Sequence, residues 1–576
     1  MWLLLEIRNV LRFIGGDGMK KLVFLLSLCI GIAQDLRAQE YMLVNGRSIP
    51  LSEIKSITMT RREHPLSLSV LLAQDERISL FVEALEATGM MDSLKVYRDI
   101  NYSVGSDSTG WNNDRLVIHT AVEYDNVAYP EKRFYKHSVF APTDDVLKSY
   151  GVDDLDELKE LAAQIYDAAY PEDADVGDVR NRRNSLNRFV SYHILPFQAN
   201  YYQLTCVDGA ESSLAKAFTR KTADISDWYE TMMPHSLMKF SFPQGSEEGL
   251  YINRRGVESR PDARGVQVRG AKVEYADVEN ERQHGLNGLF YCIDDILAYG
   301  LIPASSPFPT NANVNVPEVL FKGERMRFDC TTLSTDFMTS GARGHYTESG
   351  VQNGKYAVQS TSSKAATNRS TLCYGFKAGY AKNWFYTDAT HVHVRPRYLS
   401  FWSYQGDEVI LKGKFDVSVK LPPVPAGTYE VRLGTCTGFS SRGIVNCLID
   451  GEITGCFDLR PGGYSSKVGW KSDSSLGDAQ SVREFDVQFH RKGWMKGMDS
   501  YGSIAQDGTG SVGTTFRYQK NTLRKVLGRF TTDGKSDHYL RLRQMMESVD
   551  NELNFDYIEV VPVEVCDNET YLEDML

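Results

Sequence analysis

The side chains most able to do chemistry are scattered along this chain rather than gathered. The stretch Ser138 to Asp145, SVFAPTDD, sets two acids, Asp144 and Asp145, directly behind a proline and a threonine. Such a pair could act as a metal or acid–base site, but backbone physics offers a simpler role. Pro142 has no N–H with which to continue a strand ladder, Thr143 can cap a helix, and acids in a first helical turn face exposed N–H groups. The expectation is a strand-to-helix corner. In Thr390 to Arg397, THVHVRPR, alternation places His391 and His393 on one strand face. Two histidines could contribute to a zinc site; without a third ligand in view, an ordinary strand face is the favoured reading. No GxSxG elbow, HExxH motif or phosphate loop is present.

The surrounding elements follow from periodicity. Pro65 to Leu94 places Leu71, Ile78, Phe81, Val82 and Leu85 at helical intervals, Asp153 to Tyr170 reads as an amphipathic helix with acids at its start, and Asn184 to Leu195 reads as another, stopped by Pro196. Residues 95–135 are long and irregular and read as an insertion. Gly300 to Val319 holds four prolines among Ser, Thr and Asn without apolar periodicity, the signature of a linker. Beyond it, segments such as DEVILKGKFDVSVK, GTYEVRLGTC, REFDVQFHRKG and HYLRLRQM read as alternating strands between Gly, Asp and Ser turns, which predicts a β-sandwich.

At 576 residues, two or three domains are expected, and a formal net charge of -11 without a basic stripe argues against nucleic acid as partner. The N-terminus reads as an export signal. Met19-Lys20-Lys21 precedes the apolar run Leu22 to Ala33 and a small residue, Ala38, where a peptidase could cut, so residues 1–38 are expected to be a leader with the natural start at Met19. Cys29 inside the run leaves a lipid anchor as the alternative to cleavage. Cys447 and Cys456 flank a hairpin-like Asp450-Gly451 turn and are a candidate disulfide.

Three ordered segments, SVFAPTDD, then FVSYHILP (Phe189 to Pro196), then NGLFYCIDDIL (Asn287 to Leu297), resemble the three signatures of the fasciclin domain of bacterial surface and exported proteins, and Leu68 to Leu94 resembles that family's opening helix. The likeness spans residues 65–302, after an N-terminal segment 39–64, and against that family's usual size it implies insertions near 95–135 and 196–270. It implies an α+β domain with Phe140, Pro142, Thr143, Asp144, Tyr192, His193, Asn287, Gly288 and Asp294 as motif residues. Tyr192 and His193 are either a buried pair closing the sheet or a contact surface.

After a linker at 303–318, residues 319–576 are similar to the galactose-binding-like jelly roll, on PPVPAGTYEVRLGT (Pro422 to Thr435) and the closing NFDYIEVVP. This resemblance implies an all-β sandwich of the kind found in carbohydrate-binding modules. Sugar binding would need exposed aromatic rings, for which Trp384, Trp402, Trp470 and Trp494 are candidates. Related modules place a structural calcium ligand at the position of Asp556, with Glu324 as a second carboxylate; no other cofactor is expected. The two resemblances together imply an exported adhesion protein, at the cell surface, in the periplasm or secreted, that binds a protein or glycan without catalysis and meets a membrane only through a lipid anchor. The alternatives are a glycan-active enzyme with paired carboxylates in the second domain, or a spacer that presents the first.

Overall fold

The computed structural model describes residues 66–102, 133–199, 228–241, 249–255, 268–274, 284–300, 323–339, 373–395, 408–437, 442–460, 468–497, 514–546 and 551–567, apart from single positions within them, together with short strand segments and isolated positions elsewhere. The expected leader at 1–38 with Cys29, Trp402, and the expected linker except Ser306 and Pro307 lie outside the described residues. Two compact units emerge, Met1–His64 and Pro65–Leu576. Of the first, only an antiparallel pair is described, Tyr41–Val44 with Arg47–Pro50.

In the second unit, the expected long helix from Leu68 to Leu94 is broken into Leu68–Ala73, a 3-10 turn at Glu76–Ile78, Ser79–Ala87 and Met90–Lys95. Apolar periodicity survives the breaks; local polar chemistry makes them. The Asp75 carboxylate accepts from the Arg77 backbone N–H at 3.0 Å, a cap that starts a new turn, and Gly89 enters the left-handed region at φ 73°. The strand His137–Pro142 turns into the helix Asp144–Ser149 as expected, with Thr143 Oγ1 accepting from Val146 N at 3.2 Å. Asp154 caps the helix Leu155–Ala169, and Asn184 caps Ser185–Tyr192. These helices accompany two four-stranded sheets. One runs in the order His284–Gly285, Gly288–Ile293, His137–Pro142, Ile194–Leu195, its two longest strands parallel. The other is antiparallel, from Trp228–Glu230 through Leu237–Ser241 and Tyr251–Ile252 to Ala271–Lys272.

Residues beyond 319 are dominated by sheets. A five-stranded antiparallel sheet orders Met326–Asp329, Tyr557–Pro562, Gly427–Cys436, Thr522–Thr532 and Trp494–Lys496. A second, termed the outer sheet below, orders Trp384–Tyr386, Asp416–Lys420, Tyr539–Gln544, Ile444–Ile449 and Glu452–Asp458. The all-β expectation needs one correction: REFDVQFHRKG lies mostly in a helix, Ala479–Arg491. Phe485, Val487 and Phe489 alternate like a strand, but Val482, Phe485 and Phe489 also fit a helical face. Asp478 decides between the two periods by accepting from Ser481 N at 2.7 Å, and Gly493 at φ 77° ends the segment.

One cluster of buried apolar residues extends from Leu68 to Val560, so the residues before and after the expected linker share a core. The expected insertion at 95–135 takes part in the join. Its strand Asn126–Ala128 pairs in parallel with Cys373–Phe376, in a six-stranded sheet completed by Val117–Ile118, Thr390–Arg395, Glu408–Gly413 and Glu552–Phe555. Arg133 lies with its guanidinium 5.0 Å from the Tyr102 ring and 5.1 Å from that of Tyr380. It also donates to the carbonyl of Gly379 at 2.7 Å and stands 3.4 Å from the Asp336 carboxylate. A second ionic joint sets Glu324 against Lys239 at 3.3 Å and Arg255 at 3.0 Å, all three side chains largely out of water.

Removing one member of a buried ion group typically costs 3–5 kcal/mol, because the remaining charge keeps its desolvation penalty. Glu324→Gln is therefore expected to destabilise the protein by about 3 kcal/mol, read as a lower urea midpoint at unchanged slope.

Candidate functional site

The nine residues expected as motif positions fall on the framework of the first half. Phe140 is fully buried, with ring centroids 5.3 Å from Phe240 and 6.3 Å from Tyr291. Pro142 ends its strand opposite Ile293. Asp144 is no isolated acid: its carboxylate accepts from Ser79 N at 3.2 Å, Ser79 Oγ at 2.5 Å and Leu80 N at 3.1 Å, which caps the helix Ser79–Ala87 from across the fold. Tyr192 is buried, its hydroxyl donating to the Leu237 carbonyl at 2.9 Å and accepting from Asn253 Nδ2 at 2.8 Å. His193 is buried too. Its Nε2 accepts from Leu297 N at 3.1 Å, which leaves the proton on Nδ1, 2.8 Å from the Phe189 carbonyl. Burial lowers this imidazole to a pKa of about 4.

Asn287 is the hub. Its side-chain carbonyl accepts from Leu68 N at 2.9 Å, and its amide donates to the carbonyls of Leu94 at 2.7 Å and Val96 at 3.3 Å. Gly288 follows at φ 152°, where an added Cβ would stand 2.2 Å from the His137 carbonyl oxygen. Asp294 accepts from Lys272 N at 2.7 Å and pairs with Arg269. The motif positions thus hold chain segments together, and the Tyr192 and His193 side chains present no contact surface.

Of the aromatic candidates of the second half, Trp384 and Trp494 are not platforms, and Trp402 lies outside the described residues. Trp384 is buried, 5.1 Å from the Phe337 ring and 5.4 Å from that of Phe555, while Trp494 is buried 6.4 Å from Phe457. Trp470 is half-buried against the core. The Glu324 carboxylate is held by Lys239 and Arg255, and among the described residues no group of three or more His, Cys, Asp or Glu could hold a metal ion. Asp556 is buried, its backbone tied to Gly434 and Cys330. Cys447 lies opposite Gly455, and Cys456 opposite Asn446. With Cys447 buried and Cys456 exposed, the thiols point to opposite faces of the sheet, and both are free. Burial pushes the Cys447 thiol up to about 11. His391 and His393 lie with ring centroids 6.1 Å apart.

A carboxylate pair of the second half, Asp473 and Asp486, is locked by cations. Arg517 donates to each at 2.6 Å, and Lys496 also contacts both. Burial alone would raise Asp473, but the hydrogen bonds from Arg517 and Lys496 outweigh it and hold the carboxyl low. A glycosidase acid needs the opposite shift.

The outer sheet offers a different surface. Along Asp416–Lys420, Tyr539–Gln544 and Ile444–Ile449, buried and more open positions alternate, so one face packs inward and the other meets solvent. Strand register lays the open face out in rows: Phe385, Ser418, Arg541 and Leu448 in one; Asp416, Arg543, Asn446 and Cys456 in the next; Lys420 and Tyr539 in a third. Phe385 is 56% exposed and meets Tyr539 edge-on at 5.9 Å. None of these positions is a tryptophan, and the alternation in FDVSVK and YLRLRQ is the signal in the sequence that marks them.

No family model matches the chain, and no curated protein matches it. Among solved structures, a Paenibacillus xanthan lyase is similar at 13% identity over 31% of this chain and 13% of that one, with a TM-score of 0.17. An insecticidal crystal protein is similar at 8% identity over 34% and 22% of the two chains, with a TM-score of 0.18. The exo-β-1,3-galactanase from Phanerochaete chrysosporium stands at 12% identity over 27% and 24%, with a TM-score of 0.15. The chain spans less than a quarter of the length of each of these proteins, and likenesses this slight carry nothing about its activity.

The buried histidines set a pH dependence. His193 and His137 both have pKa values lowered by burial from 6.5 to about 4, so between those values the unfolded chain binds more protons than the folded one. Their contribution is complete above pH 6.5 and is lost as pH falls toward 4, on the order of 3 kcal/mol each. Denaturation midpoints measured across that window should fall with acidity, and the fall should be shallower in His193→Gln.

Proposed function

We propose that this chain is an exported bacterial surface protein that works by binding a protein or glycan ligand rather than by turning one over. In this reading the first half is a fasciclin-like domain and the second a galactose-binding-like β-sandwich, with the leader at 1–38 directing export, by cleavage or through a lipid on Cys29. The observation that carries the binding role is the open face of the outer sheet, where Phe385 is 56% exposed beside hydrogen-bonding side chains on three neighbouring strands. Exposed aromatic rings with convergent polar groups are what ligand surfaces use. The motif residues support it differently: by tying distant segments together through side-chain-to-backbone bonds, they supply a rigid body on which such a face is presented.

The test is a glycan array and a surface-protein pull-down with the full chain. A ligand retained by the native protein and lost on Phe385→Ala is the expected result. Absence of any ligand on both assays would overturn the reading, as would turnover of a bound glycan.

A further inference from the structure

The open face of the outer sheet is chemically uneven, and the unevenness names a ligand class. Most charges on it have close partners. Arg541 grips Asp416 with both arms of its guanidinium, Nε to Oδ1 at 2.7 Å and a terminal nitrogen to Oδ2 at 2.6 Å. Lys420 pairs with Asp537 at 2.7 Å, and Asp450 at the sheet's end pairs with His538 at 2.7 Å. Arg543 differs. It is two residues from Arg541 on the same strand and face, its side chain is 58% exposed, and its approach to the already occupied Asp416 is 3.9 Å. It is a planar, permanently charged fork turned largely to solvent, sharing with Arg541 the single carboxylate of Asp416.

Phe385 stands on the opposite side of the same face. Strands in a sheet lie ~4.8 Å apart, so two steps from the strand of Phe385 to that of Arg543 span about 10 Å. Across that distance the surface offers an apolar ring, the Ser418 hydroxyl, the fixed Arg541–Asp416 pair and the open guanidinium, with Asn446 one strand further.

We propose that this face binds a linear acidic polysaccharide, a chain of uronate sugars. One sugar lies with its C–H face on Phe385, and the carboxylate of another is held bidentately by Arg543. The inference rests on the binding role above and narrows its ligand. An aromatic ring receives the apolar face of a pyranose, and the paired Arg541 and Asp416 offer fixed donors and an acceptor to sugar hydroxyls. Arg543 selects for charge, because guanidinium and carboxylate match in planar two-point geometry. A neutral glycan would leave that fork unused. An apolar protein surface would have to strip water from Arg541, Arg543 and Lys420 together, at high cost. The chain carries a net charge of -11, so an anionic polymer needs a local cation such as Arg543 to offset the overall repulsion.

The experiment is affinity electrophoresis of the full chain through gels containing polygalacturonate or, in parallel, an unbranched neutral galactan. Polygalacturonate should retard the native protein and galactan should not, and raised salt should weaken the retardation. Phe385→Ala and Arg543→Ala should each lower affinity about tenfold, Arg543→Lys should restore only part of it, and the distant surface change Lys159→Ala should leave it intact. All these positions are exposed or half-exposed, so circular dichroism can confirm that the variants remain folded. Equal retardation by both gels, or variants that bind polygalacturonate like the native protein, would overturn the inference. If polygalacturonate fails while a neutral glycan or a protein binds, the inference falls and the binding role stands; if nothing binds, both fall.

Discussion

The architecture depends on a small set of charges removed from water where the two halves meet. Glu324, projecting from the second half, faces Lys239 and Arg255 of the first, and Arg133 of the first is clasped between Tyr102 and Tyr380. Ions so placed stabilise only in the joined state, since separating the halves would leave desolvated charge behind or require rehydrating it. They make the joint specific in orientation, where an apolar seam alone would permit sliding. The outer sheet inherits that orientation. Glu230 of the first half, raised by burial, is drawn back by the positive charge of Lys420 and Lys382, so the first half borders the end of the outer sheet that carries Lys420.

Within the first half, a different economy holds. Asn287, Asp144 and His193 each satisfy backbone groups from distant segments, and Asn287 and His193 do so in a buried setting where an unmatched donor or acceptor would cost several kcal/mol. Asn287 alone binds the start of one helix and the carbonyls that close another. Such residues look like catalytic candidates in a sequence because they are polar and flanked by apolar runs. The same property makes them structural hubs, and only their partners tell the two apart.

That distinction marks how far the sequence could be read. The Pro142-Thr143 corner, the capped helix after Asp154 and the alternating strands of the second half were legible because each rests on chemistry within a few residues. The break at Asp75 and the helix at Ala479–Arg491 were not. In both, a single capping carboxylate overrode the apparent period. The pairing of Asn126–Ala128 with a strand some 250 residues away could not be read at all, because register between distant segments is set by the assembled core. For the candidate site, tryptophan as a residue type is no guide to exposure. Its size and apolar area drew Trp384 into the core, whereas the smaller Phe385 next to it faces outward by strand alternation.

The most direct check of the central claim, that residues on both sides of 303–318 form one body, is scanning calorimetry of the full chain. One cooperative transition with matching calorimetric and van't Hoff enthalpies is the predicted result. Two resolved transitions, one for each half, would contradict it.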